Sequence, residues 1–114
     1  MALMMDYKRK EVVLVNLYPK KGDEVGKIRP AVIISDDVDN TELDTLIVLP
    51  LSTQLIDDVS PYRVRLSRRA GLEQDSDVLV HQIRTISKKR AIKYISKITE
   101  EEYKMVKMAL CQII

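Results

Sequence analysis

The sequence predicts a mainly β domain, a barrel or sandwich that is closed or nearly closed, with one α-helix at its C-terminal end. Three observations lead there. Apolar residues arrive in short runs separated by turn chemistry; residues 62–66 alternate, with Tyr62, Val64 and Leu66 on one face; and beyond Thr99 the apolar period changes to that of a helix. At 114 residues, 46% of them hydrophobic, the chain is long enough to bury one real core. A single domain over residues 1–114 is expected, because a second has no room.

Taken in order, residues 12–17 read as a first strand. A loop over 19–29 follows, its Gly22, Gly26 and charges arguing for mobility. Pro30 is expected to open a second strand at 31–35, since a strand's first position tolerates the missing N–H. Residues 36–40 read as a polar connection, and 45–49 as a third strand ended by Pro50. In a fourth strand at 62–66, Arg63 and Arg65 point away from the apolar face and set two cations side by side. Residues 77–80 together with 83–86 give a fifth segment and 94–98 a sixth. Thr99 and Glu102 have the spacing of a capping box, and the acids at 100–102 favour the positive end of a helix over about 99–113. Tyr103, Val106, Leu110 and Ile113 form its apolar stripe, and Met105, Met108 and Ala109 widen it enough that part of the helix could equally face a second subunit. Cys111 is expected to be a small buried hydrophobe.

Composition also excludes. Charge-free runs are far shorter than the roughly 18 apolar residues a membrane span needs. The start meets Asp6, Lys8, Arg9 and Lys10 before any apolar stretch reaches signal-peptide length, so a cytoplasmic, non-membrane protein is expected. One cysteine and one histidine cannot make an internal disulfide or the usual closed zinc site, so neither metal nor cofactor is expected. Net charge is only +2, but basic residues cluster at 8–10, 63–69 and 88–90. These clusters read either as solvated sheet faces or as a phosphate-binding surface.

Three stretches, in order, carry a resemblance. They are EVVLVNLYP at 11–19, running on through Gly22, Asp23 and Glu24 to GKIRPAVIIS at 26–35; IVLPLSTQ at 47–54; and GLEQDSDVLVHQIRTI at 71–86. Together, over residues 10–98, they resemble the MazF/PemK/Kid family of toxin–antitoxin endoribonucleases. The resemblance implies an SH3-like β-barrel with a C-terminal helix, a homodimer, sequence-specific cleavage of single-stranded RNA, and a cognate antitoxin, expected to lay an acidic segment across Arg29. It implies Arg29 as the catalytic arginine and Ser52 at the position of the catalytic threonine, with Thr53 next in line. Serine keeps the hydroxyl but loses the β-branch that restrains it.

Metal-free RNA cleavage needs a base for the 2′-hydroxyl, charge stabilisation at the phosphate and an acid for the leaving 5′-oxygen. The planar fork of Arg29 suits the phosphate, although an ion pair with Glu24 or Asp23 is the alternative for a loop arginine. Arginine is a poor base, and histidine is the side chain whose ordinary pKa lies nearest neutrality, so His81 is the expected proton acceptor if it reaches the site. It could equally be a hydrogen-bonded residue at a strand end. Ser52 and Thr53 could likewise cap a turn, and Arg84 could sit in a structural salt bridge. Lys27, Gln54, Arg63, Arg65, Gln82 and Arg84 are the expected RNA-binding residues. The rival readings are a non-catalytic toxin of the same fold that binds a protein such as DNA gyrase, and an RNA-binding module without activity.

Overall fold

A computed structural model describes residues 6–19, 22–23 and 26–114. Residues 1–5, weighed above for an export signal, and Glu24, weighed as a partner of Arg29, lie outside the described residues. The described residues form seven antiparallel strands and two helices, in the order β1 (Glu11–Asn16), β2 (Ile28–Ile33), α1 (Asp37–Glu42), β3 (Thr45–Ser52), β4 (Arg63–Leu66), β5 (Ser76–Leu79), β6 (Arg84–Ser87), β7 (Ala91–Lys97) and α2 (Glu100–Ile113). Short 3-10 turns occupy Val80–Gln82 and Lys88–Arg90.

The strands pair in the order β4-β5-β3-β2-β1-β7, with β6 also on β3. β6 and β7 therefore lie at opposite ends of the path β6-β3-β2-β1-β7, yet only the turn Lys88–Arg90 separates them in sequence. The sheet must curl back on itself to satisfy both. Among the described residues no ladder joins its two edges, so of the closed or nearly closed forms the sequence suggested the sheet takes the open, barrel-like one. The other gap, between the β4–β5 arm and β7, is bridged by the turn after β4: Ser96 Oγ donates to Ala70 O at 2.9 Å, and Arg69 pairs with Glu102 of α2.

Alternation along β1 and β2 feeds two apolar clusters. Val12 and Val32 join Leu49, Leu51, Val64, Leu66 and Val78 beneath α2, while Val13, Val15, Ala31 and Ile33 join Leu46, Val48 and Ile86 within the curl. Val106 and Ala109 anchor α2 on the first cluster, and the capping box of Thr99 with Glu102 is present. Met105 and Met108 do not share that buried face; they are 57% and 66% exposed. Cys111 is also exposed, because its place on the helix turns it off the stripe.

Both prolines expected to bound strands lie inside them. β2 begins at Ile28, two residues before Pro30; the ladder to β3 begins only at Ala31, so the missing N–H falls where β2 still has one neighbour. β3 runs through Pro50 to Ser52. Its first half pairs with β6 up to Val48 and its end with β5 from Leu51, so Pro50 sits at the change of partner, where no donor is required on that side. The expected fifth segment is two strands, β5 and β6, kinked apart by the 3-10 turn that carries His81. The polar connection contains a helix: Asp36 caps α1 by accepting from the Val38 N–H, and the buried Asn40 is hydrogen-bonded to Ser35.

Candidate active site

Adjacent strands bring the first two motifs together. Arg29 lies in β2, opposite Val15 of β1, and its guanidinium crosses to β3, where Nη1 donates to Leu51 O at 3.3 Å; Nε donates to Gly26 O at 3.3 Å. Arg29 is thus a strand residue anchored at two carbonyls, not a loop residue. Ser52 ends β3, and its Oγ accepts the Gln54 N–H at 3.1 Å. That contact uses an acceptor lone pair and leaves the O–H proton to donate elsewhere.

Both residues line one groove of about 450 Å³, together with Lys27, Thr53 and Gln54. Leu51, Leu72 and Ile95 add apolar surface, and the β4–β5 turn contributes Gly71, Glu73 and Gln74. Burial lowers the Arg29 guanidinium from its ordinary value, a cost that pairing with a phosphate would offset. The groove therefore offers two cations, three hydroxyls, counting Ser76, and two amides to an anionic chain, with the carboxylate of Glu73 beside them.

The third motif divides. His81, Gln82, Ile83 and Arg84 line a separate, smaller pocket with Asp23. His81 stacks edge-on against Tyr62 at 6.2 Å between ring centroids, and its Nδ1 is 3.5 Å from Tyr62 O. Within this chain the histidine does not join Arg29 and Ser52, because the 3-10 turn carries it past the end of β5. Arg63 and Arg65 are not in the groove either. Both turn onto Asp77, with Arg63 Nη1 3.1 Å from Oδ2 and Arg65 Nε 2.5 Å from Oδ1, and Arg65 also reaches Asp57 at 2.8 Å. Burial alone would raise the Asp77 carboxyl, but hydrogen bonds from Arg65, the Ile56 N–H and Arg63 outweigh it and hold it below the ordinary carboxylate value.

Sequence reasoning missed two residues here. Glu73 lay within the third motif but reads as an ordinary turn acid, and Asp77 reads as one polar residue in an apolar strand. Among the described residues, no three His, Cys, Asp or Glu side chains come together as a metal site, and no helix is long and apolar enough to cross a membrane.

Comparison with known proteins matches residues 8–114 to the family described as PemK-like, MazF-like toxin of type II toxin–antitoxin system. The chain is 36% identical over 107 residues to Endoribonuclease EndoA of Bacillus subtilis, covering 93% of this chain and 92% of that one. Its fold is similar to MazF of Deinococcus radiodurans, with a TM-score of 0.85 at 20% identity over 96% and 97% of the two chains. It is also similar to the D. radiodurans MazE–MazF structure, at 0.79 and 20% over 96% of each chain. Mycobacterium tuberculosis toxin MazF-mt6 gives 0.75 at 20% identity over 90% and 93%.

Proposed function

The chain belongs to the PemK-like, MazF-like toxins of type II toxin–antitoxin systems, and we propose that it is an endoribonuclease that cuts single-stranded RNA at short sequences without a metal ion. The observation that carries this reading is the delivery of Arg29 and Ser52 from neighbouring strands into one groove. The kinship with Endoribonuclease EndoA supports the activity.

In this reaction the 2′-oxygen attacks the adjacent phosphorus and the bond to the 5′-oxygen breaks. The products are a 2′,3′-cyclic phosphate, which water can open to a 3′-phosphate, and a 5′-oxygen that takes a proton from solvent water at the open groove to become a 5′-hydroxyl. Arg29 meets the non-bridging oxygens as charge builds on them, and the Ser52 O–H donates to the same phosphate. Thr53, Lys27 and Gln54 hold the flanking chain, and Gln82 and Arg84 bind it further along. Glu73 takes the 2′-hydroxyl proton, a role that falls to it rather than to His81 because it shares the groove with Arg29. Replacing Glu73 by Gln should therefore slow cleavage by about 100-fold, read as kcat on one RNA. A larger loss in His81→Ala would return the role to the histidine.

The protein acts in the cytoplasm as one domain and as a homodimer, with Met105 and Met108 on α2 among the apolar surface available to a second copy. Its antitoxin lays an acidic segment along the Lys27–Arg29 groove; the solved MazE–MazF pair supports a partner of this kind. The deciding experiment is an assay of purified protein on long RNA with EDTA present. Cleavage should persist, and Arg29→Ala should lower the rate by about 100-fold or more with the fold intact, while Arg29→Lys restores little because it lacks the two-pronged geometry. Activity lost on chelation and restored by magnesium would overturn the metal-free chemistry.

A further inference from the structure

Asp77 is 1% exposed and does not line the groove, yet its place is unusual. It lies opposite Ser52 in the β3–β5 ladder and opposite Arg65 in the β4–β5 ladder. Its carboxylate takes three donors: Arg65, Arg63, and the Ile56 N–H at 3.0 Å. Two of these contacts lead to the segment that follows Ser52. Ile56 belongs to it, and the Nη1 of Arg63 that grips Asp77 also donates to Gln54 O at 2.9 Å. Gln54 is then held at both backbone groups, its carbonyl by Arg63 and its N–H by Ser52 Oγ.

Without the carboxylate, Arg63 would lose the charge that fixes its head, and the Gln54 peptide would lose its anchor. The Gln54 N–H sets the direction of the Ser52 hydroxyl by occupying one of its lone pairs. We propose that Asp77 is a positioning residue for RNA cleavage: through Arg63 and the Ile56 N–H it clamps the turn 52–56, so that Ser52 Oγ is aimed into the groove before RNA arrives. This rests on the nuclease reading above. It also reassigns Arg63 and Arg65, which the sequence offered as RNA contacts, to an internal framework whose cations are already matched by Asp77 and Asp57.

The test compares Asp77→Asn and Arg63→Met with the parental enzyme, by steady-state cleavage of a short RNA at several salt concentrations and by hydrogen exchange of the Gln54 and Ile56 amides. Each variant should lower kcat by about 10- to 100-fold, as small misplacements of a reacting group do. KM should stay within about threefold, the signature of an interaction realised in the transition state. Exchange at Gln54 should quicken in both. Arg63→Met leaves Arg65 and the Ile56 N–H on Asp77, so it carries the test should Asp77→Asn fail to fold. As a control, Asp57→Ala removes only an exposed arm of Arg65 and should change kcat less than about twofold.

A lower melting temperature with kcat at the parental value would reduce Asp77 to a purely structural part and overturn the proposal. So would a raised KM and a shallower salt dependence in Arg63→Met with kcat kept, since those mark a phosphate contact. A parental enzyme that cuts beside indifferent variants defeats this inference alone. A parental protein that leaves RNA intact defeats the nuclease reading and this one with it.

Discussion

The Ser52 hydroxyl is held as an acceptor by the Gln54 N–H, so a missing β-branch is partly replaced by a backbone contact. Ser52→Ala should accordingly cost about 10- to 1,000-fold in cleavage rate, and Ser52→Thr should be neutral or faster. Thr53 lines the same groove but follows the strand end, so Thr53→Ala should cost less; single-turnover rates on one RNA decide the order. Arg29, Ser52, Gln54 and Lys27 were legible in the sequence because each sits in a motif whose residues stay together in space. Asp77 was not, since a carboxylate between Ser76 and Val78 acquires meaning only when β4 and the segment after β3 bring Arg63, Arg65 and Ile56 to it.

Among the elements, the turn after β4 decides whether the curled sheet holds together. Gly71 has φ +86, and a Cβ there would lie 1.6 Å from Ile95 O, a backbone atom of β7 that cannot step aside. Gly71→Ala should therefore destabilise by more than about 4 kcal/mol or prevent folding, measured by urea unfolding. Position 71 was legible as part of a motif, but the reason for glycine was not: its neighbour lies 24 residues away in sequence, counting from Gly71 to Ile95. The same holds for Pro30 and Pro50. Local rules made them strand boundaries, and their tolerance inside β2 and β3 comes from which neighbours each strand has at that level. The α1 helix was missed for the opposite reason. Its signal, a capping Asp36 before acids at 37 and 39, is local, but six residues without an apolar stripe carry no helical period to read.

At the scale of the whole molecule, the two arms and α2 are tied by ion pairs, and this gives the fold a direction of pH sensitivity. Glu102 is held below its ordinary carboxylate value chiefly by its hydrogen bonds from Arg69, and Asp77 is lowered as described. Both groups bind a proton more readily in the unfolded chain, so their stabilisation is complete above the ordinary carboxylate pKa and is lost as pH falls through the lower native values. Urea midpoints should be nearly level from about pH 7 to 5 and fall below about pH 4. Glu102→Gln should lower the neutral midpoint and make the acid fall shallower; an unchanged profile would show that the pair contributes nothing. Seen whole, the sequence by itself determined the strand-rich class, the capped C-terminal helix, the family and the groove residues Arg29 and Ser52, because periodicity, caps and contiguous motifs are properties of neighbours along the chain. Only the tertiary structure decided that the sheet stays open, that His81 stands apart from Arg29, that Cys111 faces outward, and that Arg63 and Arg65 are engaged by Asp77. Each of these depends on which distant strand lies alongside, and burial and charge pairing across that distance have no local trace.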